Sequence, residues 1–160
     1  MTGVHYKRWQ DAPTGEAWRW PHFTARELAC KCGRWCEGSY VHQPAFLDNL
    51  EVLRQAIGRA LKINSGHRCP LHNANVGGAP LSQHKAIAAD ISLRGHDPVQ
   101  LARYAAGVGF TGLGFGRTFL HVDMRFARAA FHYPGGKAAW TARFGFDPAV
   151  RFKLTGHLEA

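Results

Sequence analysis

Four side chains in the middle of this chain carry groups that can do chemistry together: Ser82, His84, Asp90 and His121. They stand in Ser-Gln-His-Lys-Ala-Ile-Ala-Ala-Asp-Ile and, thirty-one positions after Asp90, in Phe-Leu-His-Val-Asp-Met-Arg. Two histidines and one carboxylate form the ligand set of a catalytic zinc, which keeps its fourth position open for water. Neutral imidazoles and one carboxylate leave a net positive charge, able to polarise water and a carbonyl. If His84, Asp90 and His121 converge, the chain holds a hydrolytic zinc centre.

Convergence places a demand on the backbone. His84 and Asp90 are six positions apart. In a straight strand their Cα atoms would lie roughly 20 Å apart. On a helix they would differ by about 600°, well off a shared face. The chain must bend between them. A strand after the bend should deliver Asp90, and a strand around Leu120-His121 should deliver the third ligand. Taken singly, each residue has a plainer reading as a hydrogen-bonded histidine or a loop-capping aspartate. The case rests on the joint pattern. The chain has ten histidines, and His5, His22, His42, His72, His96, His132 and His157 are read as ordinary residues.

The positioning elements follow from periodicity and punctuation. Thr24 with Glu27 three residues on is a capping box, opening a short helix from Ala25 to Cys30. Pro44 opens a helix through Ala60, with Phe46, Leu47, Leu50, Leu53, Ile57 and Leu61 at helical spacing. Leu61-Lys-Ile-Asn is a short strand before Ser65-Gly66. Residues 67–80 read as a loop with at most one helical turn, punctuated by Pro70, Gly77, Gly78 and Pro80. Ala88 to Leu93 has the character of a buried strand. Asp97-Pro98 starts a helix from Val99 to Val108. Gly112 to Gly116 is a strand or tight loop, and Phe119 to Met124 is a strand. The tail from Arg125 shows little periodicity. Short strands with glycine turns between helices argue a small α+β domain with an antiparallel sheet and flanking helices. The expected division is an N-terminal arm over 1–22, a core over 23–126, and a C-terminal extension over 127–160 that packs on the core.

Four cysteines, Cys30, Cys32, Cys36 and Cys69, form a second constellation. Three crowd one short window, which scattered buried thiols would not do. A structural zinc knot, disulfides and free thiols are all open readings. Cys-x-Cys is tighter than the usual metal spacing of two to four intervening residues.

At 160 residues with 46% hydrophobic content, one domain with a real core is expected. The formal charge of +9 favours an anionic partner surface. The basic residues are dispersed and no nucleic-acid-binding motif is visible, so sequence-specific nucleic-acid recognition is not indicated. No apolar run approaches the roughly 18–20 residues that span a bilayer. The N-terminus has no apolar stretch like that of a secretory signal.

Several of these segments, in order, resemble one family. Ser65-Gly-His-Arg-Cys-Pro, Asn73, Val76-Gly-Gly-Ala, Ser82-Gln-His84, Ala89-Asp90-Ile and His121-Val-Asp are similar to the M15 family of D-Ala-D-Ala carboxypeptidase-like zinc peptidases. The branch found in bacterial genomes and phages, which includes endolysins, also shows an opening like Phe23-Thr-x-x-Glu-Leu-Ala-Cys-Lys-Cys. The resemblance covers roughly residues 23–125. It implies that His84, Asp90 and His121 hold zinc. It implies that Arg68 steadies the oxyanion or the substrate and that Ser82 contacts substrate. It further implies a peptidoglycan peptide cut at or near D-alanine, and the small α+β fold shared with vancomycin-resistance D,D-dipeptidases and the signalling domain of Hedgehog. A guanidinium beside a metal suits a tetrahedral intermediate, since it cannot be deprotonated. The plainer readings are a structural ion pair for Arg68 and a turn or cap hydrogen bond for Ser82.

The chain departs from the family pattern twice. The family places seven steps, with a glycine, between the first histidine and the aspartate; here there are six and no glycine, which tightens the bend. The family's upstream base is also absent, because Thr118, three before His121, cannot accept a proton. Asp123, two after His121, is the nearest carboxylate and shares its strand face. It is read as the base, with an orienting role or a surface role as alternatives; His67 is a second candidate base. Two functions of different class follow. One is a zinc peptidase acting on cell-wall peptides, made in the cytoplasm without a signal and reaching the wall as a phage lysin or with other virion proteins. The other is a non-catalytic wall-binding or structural virion module that kept the fold.

Overall fold

A computed structural model describes residues 3–159. Strand β1 (Val4–Tyr6) pairs antiparallel with β2 (Tyr40–His42) as a separate ribbon. Between them lies α1 (Ala25–Leu28), where the expected capping box forms in full: Thr24 Oγ1 accepts from the Glu27 N–H, and the Glu27 carboxylate accepts from the Thr24 N–H. Helix α2 (Pro44–Ile57) buries Phe46, Leu47, Leu50 and Leu53 on one face. It stops short of Ala60 because Gly58 turns left-handed, at φ 74°, and caps it.

Next come β3 (Ile63–Ser65), α3 (Pro70–Asn75) and β4 (Ala88–Ser92), then α4 (Pro98–Gly107), β5 (Gly112–Phe115) and β6 (Phe119–Asp123). Asp97 caps α4 by accepting from the Val99 and Gln100 N–H groups. The tail is more regular than its weak periodicity suggests, with β7 (Ala129–His132), α5 (Gly136–Phe144) and α6 (Pro148–Thr155). Asp147-Pro148 starts α6 just as Asp97-Pro98 starts α4.

The main sheet has strand order β3-β4-β6-β5-β7. It is antiparallel except at its edge, where β7 runs parallel to β5. The expected α+β class with flanking helices is therefore the observed one. Strand alternation divides the sheet into two faces. Ala89, Ile91, Leu113, Phe115, Leu120 and Val122 point into the core with Phe46, Leu50, Leu101, Ala105 and Phe110 of the helical side. Asp90, Gly112, Gly114, His121 and Asp123 occupy the alternate positions, on the other face.

Both ends of the chain join this core. Trp20 is buried and its Nε1 donates to Asp48 Oδ1 on α2 at 2.8 Å. Trp140, Phe152 and Leu158 are buried with the rest of the core, and Trp140 Nε1 donates to the Gly116 carbonyl at 2.7 Å. Met1, Thr2 and Ala160 lie outside the described residues. Among the described residues, no helix is long and apolar enough to cross a membrane.

Candidate metal centre

Register brings the site together. Asp90 on β4 pairs directly with His121 on β6, and His121 pairs with Gly114 on β5. Side chains of directly opposed residues sit about 4.5–5.5 Å apart at Cβ, close enough to share an ion. His84 arrives from the required bend. Ser82 caps a single 3-10 turn (Gln83–Lys85) by accepting from the His84 N–H, and the turn ends at Ala86. The bend spans only six positions and has no glycine, yet it delivers His84 to the sheet.

The three ligand atoms form a near-equilateral triangle. His84 Nε2, His121 Nδ1 and Asp90 Oδ1 lie 3.1 Å from one another along each edge. Tetrahedral zinc with bonds of about 2.0–2.2 Å sets its ligands about 3.3–3.6 Å apart, so a zinc ion fits this donor set with a small outward shift. Among the described residues no other histidine, cysteine or carboxylate joins the group. That leaves the fourth position to water or substrate, as a catalytic rather than structural zinc requires.

Hydrogen bonds behind the triangle choose the tautomers. His84 Nδ1 donates to the Gly66 carbonyl at 2.6 Å, which leaves Nε2 free for a metal. Gly66 must be glycine, because a Cβ there would meet the Leu28 carbonyl oxygen at 2.4 Å. His121 Nε2 donates to Asp123 Oδ2 at 2.7 Å, which frees Nδ1. Both histidines and Asp123 are almost fully buried, while Asp90 keeps partial access. Burial would raise the Asp123 pKa, but hydrogen bonds from Arg125 and His121 outweigh it and hold the carboxyl well below its usual range. Asp90 is likewise held low against burial by His121 and His84.

This geometry bears on the base. Asp123 does share the strand face of His121, as spacing suggests. Its carboxylate, however, meets the far nitrogen of the ring and accepts from Arg125 through Nε at 2.8 Å, Nη2 and the backbone N–H. It is fully enclosed and meets the ring nitrogen that is not the ligand atom, the place of an orienting carboxylate. His67 is enclosed too. Its Nδ1 donates to the Ala86 carbonyl at 2.7 Å, and its Nε2 lies 3.2 Å from Ser39 Oγ. Burial lowers its pKa to about 4.

Arg68 and Ser82 stand together beside His84. Arg68 Nη2 donates to Ser82 Oγ at 3.3 Å, and the Arg68 N–H donates to the His84 carbonyl at 2.6 Å. Arg68 Nε is buried with no hydrogen-bond partner. Among the described residues no carboxylate forms an ion pair with Arg68, whose one side-chain partner is Ser82. Ser82 combines the plain turn-capping role with a place beside that guanidinium.

Two participants escaped the sequence reading. Tyr133 follows β7 and its hydroxyl lies 3.4 Å from His121 Nδ1, the ligand atom itself. Gly114 leaves the gap that Phe131 and Tyr133 fill, since a Cβ there would meet their rings and His121 Cβ at 2.7–2.9 Å. Nothing local to the sequence marks Tyr133, which reaches the site only because β7 joins the sheet. Arg125 lies two residues past Asp123, just beyond the end of β6.

The four cysteines also converge. Their sulfurs all lie within 4.8 Å of one another, and none is in a disulfide.

A family model described as Peptidase M15 matches residues 21–123, well over half of the chain. The matched span holds Arg68, Ser82, the three ligands, Asp123 and all four cysteines, and it stops before Arg125 and Tyr133. No curated protein matches the chain.

Proposed function

The chain belongs to the peptidase M15 family of zinc peptidases, and from that premise and the site geometry we propose that it hydrolyses peptide bonds of bacterial peptidoglycan at or near D-alanine, as a carboxypeptidase or endopeptidase of the D-Ala-D-Ala type. The observation that carries the reading is the 3.1 Å triangle of His84, Asp90 and His121, with the guanidinium of Arg68 bonded to Ser82 at the turn that delivers His84. Zinc held by the three ligands would supply the Lewis acidity that lowers the pKa of water toward about 7 and polarises the scissile carbonyl.

The chain's own groups do the rest. Arg68, in no ion pair among the described residues, offers its guanidinium to the developing oxyanion or to the substrate's terminal carboxylate. Ser82 holds that guanidinium and presents its hydroxyl to the peptide. Tyr133 places a hydroxyl beside the ligand atoms, where it can donate to the tetrahedral oxygen. Asp123, clamped by Arg125, keeps the His121 ring in the tautomer that frees Nδ1. The charge of +9 suits an anionic wall polymer as the surface on which the enzyme works. We place that work at the cell wall, with phage or virion origin as the setting.

The test is hydrolysis of stem peptides ending in D-Ala-D-Ala and of crosslinked muropeptides, with products identified by mass spectrometry. All-L isomers serve as the control. Zinc-dependent release of D-alanine or opening of the crosslink, absent in His84→Ala, is the expected result. Cleavage of the all-L control alone would move the substrate away from the wall. Full zinc occupancy with no cleavage of any peptide would favour the non-catalytic module.

A further inference from the structure

The catalytic centre leaves the cysteine cluster unexplained. Cys30, Cys32 and Cys36 come from the loop after α1, and Cys69 caps α3 some thirty residues later. Cys32 and Cys36 sulfurs are 3.5 Å apart, and all four fall within 4.8 Å. A tetrahedral tetrathiolate zinc, with bonds of about 2.3 Å, spaces its sulfurs about 3.8 Å apart. Disulfides would draw the sulfurs into pairs; here four meet at one point.

The surroundings are built for thiolates. Each sulfur accepts a backbone N–H: Cys30 from Cys69 at 3.3 Å, Cys32 from Trp35 at 3.4 Å, Cys36 from Ser39 at 3.5 Å and Cys69 from His72 at 3.4 Å. Such donors favour a charged acceptor over a neutral thiol. The loop over residues 31–39 has no helix or strand of its own; backbone bonds to Trp9 and Cys30 hold its far end, and the cluster ties its middle to Cys69.

We propose that Cys30, Cys32, Cys36 and Cys69 form a second, structural zinc site, closed by four thiolates. Its place in the fold gives it a purpose. Cys69 directly follows Arg68. Ser39 Oγ lies 3.4 Å from Cys36 Sγ and 3.2 Å from His67 Nε2, and His67 holds the Ala86 carbonyl at the bend after His84. The zinc knot therefore anchors residues 66–69, the segment whose Gly66 carbonyl orients His84 and whose Arg68 faces substrate.

The test is metal content per chain on protein dialysed against metal-free buffer, for wild type and for His84→Ala/His121→Ala, which keeps every cysteine. We expect two zincs in wild type and one in the double variant. Cobalt loaded into that variant should show the intense sulfur-to-metal charge-transfer absorption of a tetrathiolate. One zinc in both proteins would leave this site standing and overturn the catalytic one. A double variant with no zinc and four freely titrating thiols, a disulfide found in the unreduced mass, or iron in place of zinc would overturn the proposal. None of these readouts depends on a cysteine variant folding.

Discussion

Replacing Asp123 by Asn separates the two roles that a carboxylate beside a zinc ligand can play. The side chain keeps its volume and loses its charge. In the wild type the carboxylate accepts from His121 Nε2 at 2.7 Å and from Arg125 Nε at 2.8 Å, fully enclosed. An amide can still accept from one of these partners, but its NH2 must then face the other donor. One hydrogen bond becomes a donor-donor contact, and Arg125, about three-quarters buried, loses its counter-charge. Loss of a partner that orients a metal-bound histidine costs 10–100-fold in metal affinity or activity, about 1.4–2.7 kcal/mol. The stranded guanidinium adds about 1–3 kcal/mol to the folding cost. Zinc affinity measured by chelator competition should therefore fall 10–100-fold. Activity should recover most of the way as zinc is raised to saturation, with the shape of the pH–rate profile kept. A general base behaves otherwise: its removal lowers kcat by about 10²–10⁴ at full zinc occupancy and removes one limb of the profile. Unchanged zinc affinity with kcat lost at saturating zinc would refute the orienting role.

Three further outcomes follow from the same geometry. Tyr133→Phe should hold zinc as tightly as wild type yet lose about 10–100-fold in kcat, since a donor to the oxyanion is worth up to 10²–10³; an unchanged kcat would remove Tyr133 from the chemistry. Gly112→Ala should destabilise the fold by about 1–3 kcal/mol and weaken zinc binding, because the new Cβ would lie 2.0 Å from Asp123 Oδ1; thermal unfolding and chelator competition would read both. Asp147 caps α6 and accepts from His132 Nε2 at 2.8 Å. Burial raises its pKa, but the His132 bond and the helix N–H groups prevail and lower it. A depressed folded-state pKa means stabilisation that is present above the unfolded value of about 3.9 and lost as pH falls through the folded one. Denaturant titrations below about pH 4 should thus show a steeper loss of stability in wild type than in Asp147→Asn, and equal slopes would contradict the assignment.

The sequence by itself carried the ligand set, because residue type and order are local facts. His84, Asp90 and His121 could be named with the bend between the first two, since no straight element can bring side chains six positions apart to one ion. The helix starts were equally legible: Thr24 with Glu27, and Asp97, act through bonds within one turn, and Pro44 through its fixed φ. Asp147-Pro148 carries the same signal for α6, in a segment whose apolar periodicity is weak. What the sequence could not decide was which atoms face one another across strands. That Asp123 sits behind the His121 ring rather than over the open side depends on the Arg125 clamp and on Gly112 giving it room. That Tyr133 reaches the ligand atoms depends on β7 lying parallel to β5, a pairing between segments with no local mark. The meeting of four sulfurs depends on α3 starting beside the loop after α1. Spacing along the chain limits what can converge; strand register and packing choose the face on which it does.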